Sequence, residues 1–194
     1  EELVEIRAYH LDQSVEFLTE MEGAPPQELA EETAAALVKA AKRAIAREAY
    51  AQARKLGLRA LELRPTLGAR YIAARAAWRL QDWGAVQLEM AKVRDHARDE
   101  GETVIAAMAL TALGEALVKR EGDAVGARAL VDEALGLLAR EDDPVAHFDA
   151  LNARAMVGSW MGSTEDFVRY MERAYAVALD ARRKDLQTIA AQEL

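Results

Sequence analysis

The chain has 194 residues, 52% of them hydrophobic and 30% charged, and carries a formal net charge of −8. That balance describes a foldable chain and excludes a disordered one; the charge removes the global positive field on which nucleic-acid binding draws, though not a local basic strip. There is no cysteine, which excludes a disulfide framework and thiolate chemistry and fits a reducing compartment.

No apolar run approaches the ~20 residues needed to cross a bilayer, and no basic-then-apolar signal opens the sequence. The expectation is a cytoplasmic protein with no membrane partner and no direct nucleic-acid partner. A start at Glu1 without Met reads as a piece cut from a longer polypeptide.

In chain order, residues 2–21 read as a first helix, with Leu3, Ile6, His10, Val15 and Leu18 assigned to one face. Gly23-Ala24-Pro25-Pro26 is the clearest break. Residues 27–47 resume with Leu29, Ala36, Leu37, Ala40, Ala41 and Ala44 in helical spacing, and a tight turn at Arg47-Glu48-Ala49 leads to a helix over 50–63 that Pro65 stops. Thr66 caps a helix over 68–80, and Asp82-Trp83 opens one that runs to 99. Gly101 is a left-handed terminator, followed by a helix over 102–120. Gly122-Asp123 pairs a stop with a cap before 124–140. Asp143-Pro144 is a cap with proline at the first helical position, opening 145–161. Gly162 closes that helix, and Ser163 with Asp166 has the spacing of a capping box for a helix reaching 182. A further helix begins at 184 and runs to 194. No stretch reads as a strand.

Small and apolar residues recur along the second helix of each pair. Ala53, Gly57 and Ala60 align with Val86, Met90 and Val93, then Ala127, Val131 and Ala134, then Phe167, Met171 and Ala174, at offsets of 33, 41 and 40 residues. A two-helix period of this size marks a helical solenoid whose units must stack to bury their apolar stripes. The expected organisation is one helical-repeat domain over 1–194: a leading helix (1–24), repeats at 26–65, 66–100, 101–141 and 142–182, and the start of a further helix (184–194).

Through Ala41, Tyr50, Ala53, Ala60 and Pro65 the first unit resembles the tetratricopeptide repeat, with Gly57 where that family carries a bulky aromatic. Ala74 and Trp83, Ala127 and Ala134, and Ala155 and Ala174 carry the likeness through later units, while Val86, Val93 and Phe167 stand where the family has alanine. The resemblance implies an all-α, right-handed α-α superhelix of antiparallel helix pairs. The degeneracy is similar to that of repeats in large bacterial signalling ATPases. Glu5-Ile6-Arg7-Ala8-Tyr9-His10, a long helix and Pro25-Pro26 resemble the junction that precedes such repeats in adenylate/guanylate cyclase-type and LuxR-type regulators. None of the nucleotide-binding motifs of those ATPases is present in this sequence.

The sequence gives catalysis little support. His10, His96 and His147 are far apart and belong to no metal-binding pattern, so no metal and no cofactor is expected. There is no phosphate-binding loop, and of Ser14, Ser159 and Ser163 the last is accounted for as a cap. Tyr170, Met171 and Tyr175 read as packing between units.

The resemblance implies that the outward face of each first helix lines a ligand groove. By register that face holds Val38, Lys42 and Ile45; Tyr71, Arg75, Trp78 and Arg79; Ala112, Ala116, Lys119 and Arg120; and Asn152, Met156, Ser159 and Trp160. Cations beside aromatic rings suit carboxylates, phosphates or an acidic peptide. The alternative is that Trp78 is core and the arginines snorkel to solvent. The expected role is a non-catalytic module that presents a groove to a peptide, a partner protein or a neighbouring domain. A sensor of small anionic molecules with a pocket under Trp78 and Trp160, and an oligomerisation arm acting through the solenoid end at Leu194, are the competing readings.

Overall fold

The structure, a computed structural model, describes residues 3–193. Among them are ten α-helices and no strand: α1 (Leu3–Glu22), α2 (Gln27–Ala46), α3 (Tyr50–Leu63), α4 (Leu67–Arg79), α5 (Trp83–Glu100), α6 (Thr103–Glu121), α7 (Ala124–Leu138), α8 (Pro144–Trp160), α9 (Thr164–Asp180) and α10 (Lys184–Glu193). Interior helix ends fall within two residues of those expected; the expected ends at residues 2 and 194, and the Leu194 end proposed for oligomerisation, lie outside the described residues. No described helix is long and apolar enough to cross a membrane.

The boundaries have local causes. Thr66, Asp123, Asp143 and Ser163 each accept a hydrogen bond from a backbone N–H three residues on, at 2.8–3.2 Å, which satisfies one of the orphan donors of a helix start. Asp82 does the same for Ala85, and its carboxyl is held below the usual range first by that bond and then by Arg54. Ser163 and Asp166 make only half of the expected capping box: Ser163 N–H goes to the Gly158 carbonyl, and the Asp166 carboxylate is taken by arginines. Gly101, Gly122 and Gly162 terminate helices with φ of 71–75°, and Glu48, Gln81 and Arg182 do the same work at φ of 54–61°.

The chain resolves into two compact units, residues 1–85 and 86–194. In the first, α1 packs on α2, α2 on α3 and α3 on α4, and α2 also meets α4. In the second, the packing runs α6 on α7, α7 on α8, α8 on α9 and α9 on α10, with α6 also against α8. Turns this short make successive helices antiparallel. Within each unit the first helices of its two pairs adjoin, α2 with α4 and α6 with α8, and the protein is an all-α helical-repeat chain.

The stripes aligned from sequence are the ones buried. Ala53, Gly57, Ala60, Val86, Met90, Val93, Ala127, Val131, Ala134, Met171 and Ala174 are all in the core, and Phe167 is half-buried. Gly57 is required by proximity: a Cβ there would stand 3.0 Å from the backbone N and the Cβ of Ala73 on α4. The first helix corrects the sequence reading. Val15 is buried with Ala8, and Leu18 is half-buried, but Leu3, Ile6 and His10 point outward. At about 100° per residue, Ile6 and Val15 stand on opposite sides of the helix.

Candidate functional site

In residues 1–85, the expected groove residues separate by depth. Lys42 on α2 is exposed, while Val38 and Ile45 pack against the cores made by Leu37 and Ala44. On α4, four residues and one turn apart, Arg75 lies over the Tyr71 ring at 6.0 Å, and both are half-buried. Trp78 is 5% exposed and belongs to the core. Arg79 is exposed and folds its guanidinium over the edge of that ring at 6.0 Å. Trp78 is therefore no anchor for a ligand, because its ring is consumed in packing; the register puts Arg75 and Arg79 on one face and turns the indole inward.

In residues 86–194, the structure brings together Lys119 and Trp160. Trp160, at the end of α8, is 54% exposed, and Lys119 Nζ from α6 stands 5.3 Å above its ring. Met156 and Asn152, half-buried, lie one and two turns back along α8, and Ser159 is exposed beside Trp160. Ala112 and Ala116 are fully buried between helices and offer no side chain to a ligand. Arg120 is not part of this group: its guanidinium donates to Gln87 on α5, and Gln87 donates in turn to Glu121.

The four cations Lys42, Arg75, Arg79 and Lys119 share one property. Among the described residues none of them has a carboxylate partner, and three rest on aromatic rings. Elsewhere arginines are mostly paired, as Arg54 with Asp82, Arg59 with Asp12 and Glu62, and Arg183 with Asp185. Asp185 is drawn down to about 2, first by its hydrogen bond from Arg183.

Two features escaped the sequence reading. The first is Arg154, on α8 one residue before Ala155, which carries the repeat likeness. Its side chain is wholly buried, donating to Asp132 on α7 at 2.8 Å and to Asp166 on α9 at 3.2 Å. Burial works against its charge, but the bonds to Asp132 and Asp166 prevail and raise its pKa. Its guanidinium lies 4.5 Å from the Tyr170 ring, which Arg169 and Arg173 also approach. A lone Arg in an alanine-rich helix carries no sequence signal of burial, because its partners come from two other helices.

The second is a cleft of about 690 Å³ in the first unit. Ala8, Leu37, Ala40 and Leu56 line it with apolar surface, and Arg59 bridges it to Asp12 at 2.8 Å. Arg59 is held charged: burial opposes this, but the hydrogen bonds it donates to Asp12 and Glu62 outweigh it and raise its pKa.

The histidines sit in unrelated places. His10 meets Tyr9 edge to face, His96 pairs with Glu100 at 2.9 Å, and His147 Nε2 is 3.1 Å from the Glu141 carbonyl. No family model matches the sequence, and no characterised protein matches it.

Proposed function

We propose that this chain is a non-catalytic interaction module that takes an acidic peptide segment, or an acidic surface of a partner or neighbouring domain, on its first-helix faces. The observation that supports this is that, among the described residues, Lys42, Arg75 and Arg79 on the first-helix faces of one unit and Lys119 on those of the other have no carboxylate partner, in a protein of net charge −8. A chain rich in carboxylates that leaves these four without one holds positive charge available for a ligand. Trp160 with Lys119 supplies an exposed aromatic anchor beside a cation, the pairing that concentrates binding energy at interfaces. The resemblance to repeats of bacterial signalling ATPases and transcription regulators supports a parent protein of that kind, acting in the cytoplasm, in which the repeats hold a neighbouring domain until an effector competes for them.

The test uses an immobilised library of acidic peptides and titration of the best binder. Lys119→Glu and Trp160→Ala should each weaken binding by at least about tenfold, on the scale of a lost anchor, and Arg75→Glu with Arg79→Glu should weaken it in the first unit. Unchanged affinity in all three variants removes the proposal.

The cleft at Arg59 supports a second reading, because its volume is that of a small-molecule site. Its rim carries Glu5, Asp12, Glu16 and Glu62 against Lys55 and Arg59, so a cationic or neutral ligand suits it better than an anionic one. Thermal-shift screening with polyamines and anionic metabolites in parallel decides this: stabilisation by anions alone would contradict it.

A further inference from the structure

We infer that α1 is a dimerisation helix, and that its outward face pairs with the same face of a second copy in antiparallel order. At about 100° per residue, Leu3, Ile6, His10, Phe17 and Met21 fall within about 60° of one another. They lie opposite Ala8 and Val15, which face α2. The outward residues are large and bare: Leu3 is 77% exposed, Ile6 48%, Phe17 62% and Met21 70%, with Tyr9 on the border at 61%. A helix on the surface of a single unit needs one apolar face, and α1 has two.

The order of residues along the outward face identifies the occupant. About a two-fold axis near residues 11 and 12, Leu3 meets Met21 of the second copy, Ile6 meets Phe17, and His10 meets Gln13. Apolar ends therefore meet apolar ends, and the two polar positions meet at the centre, which is the self-complementarity an isologous interface demands. A parallel pairing would set Glu20 beside Glu20 near the seam, an unfavourable like-charge contact. Five side chains of about 200 Å², some 60% exposed, bury about 600 Å² per copy and ~1,200 Å² in all, the lower edge of stable interfaces. A dissociation constant on the order of micromolar follows from that position. The inference is independent of the groove on the first-helix faces, since α1 carries none of its residues.

Sedimentation velocity of the whole 194-residue chain from about 1 to 200 μM, bracketing a micromolar constant, tests it. The weight-average mass should rise from 21.3 kDa toward twice that value. Ile6→Glu with Phe17→Glu should hold the chain monomeric at every concentration without shifting its thermal melting at the lowest concentration, where the parent is also mostly monomeric, whereas Val125→Glu, an exposed site on α7, should leave association unchanged. Because the chain lacks cysteine, oxidation of a mixture of Leu3→Cys and Met21→Cys proteins reads the orientation; a hetero-disulfide is expected. A monomer throughout, a dimer that survives the double glutamate variant, or homo-disulfides alone would each overturn the proposal.

Discussion

Replacing Arg154 separates what its charge does from what its bulk does. The guanidinium is wholly buried and ties α8 to Asp132 on α7 and Asp166 on α9. Removing one partner of a buried ion pair costs about 3–5 kcal/mol because the remaining charge is stranded. Here the strandedness is partial: Asp132 is 44% exposed, Asp166 is 19% exposed, and Asp166 retains Arg169. Discounting by about half leaves roughly 2 kcal/mol of electrostatic loss. Arg154→Ala also deletes the aliphatic stem and opens a cavity against Tyr170, adding about 1 kcal/mol. The total is about 3 kcal/mol, or a fall in melting temperature of roughly 6–12 °C for a chain of this size. Arg154→Met keeps the stem but strands the same two carboxylates, so it should avoid the cavity loss only and still cost about 2 kcal/mol. Urea denaturation followed by circular dichroism measures both. An alanine variant within about 0.5 kcal/mol of the parent, or a methionine variant as stable as the parent, would refute the claim that Arg154 acts as a charged staple.

Two further predictions concern the helix junctions. Gly57→Leu drives a side chain into the Ala73 backbone, which cannot yield as a side-chain tip would, so it should destabilise by about 3 kcal/mol; a stable, helical Gly57→Leu protein in chemical denaturation would contradict the close approach. Gln81→Gly relieves a left-handed φ of 58° and should stabilise by about 0.5–1 kcal/mol in the same assay, with no gain expected from glycine at the exposed right-handed position Gln52.

The helices were legible because their determinants are local. Caps, terminators and stripes of small residues act within one turn or one helix, and Ala53, Gly57 and Ala60 could be aligned with their counterparts before any contact was known. Side-chain depth on a crowded face was not legible in the same way. Trp78 and Arg79 are neighbours in sequence, yet one is core and one is surface, because a single residue step turns about 100°. The face assigned to α1 failed for the same reason: apolar residues on two opposite sides of a helix cannot be sorted by counting them. Arg154 was illegible for a different reason, since its partners belong to α7 and α9 and no local pattern announces a meeting of three helices.

The contrast between Arg154 and Lys119 shows why a cation beside an aromatic ring is not by itself a binding site. Arg154 over Tyr170 and Lys119 over Trp160 use the same attraction at similar range, 4.5 and 5.3 Å. Around Arg154 the chain supplies two carboxylates, so the charge is neutralised internally, and its side chain is wholly buried. Around Lys119 it supplies none among the described residues, and the ring beneath is open to solvent. In a chain with 33 acidic and 25 basic residues, carboxylates are plentiful, and most surface arginines have found one. A cation held on an exposed ring without a counter-charge lies in a field that a partner's carboxylate can complete at little cost in reorganisation. That difference, and not the motif, directs the binding experiment to α6 and α8.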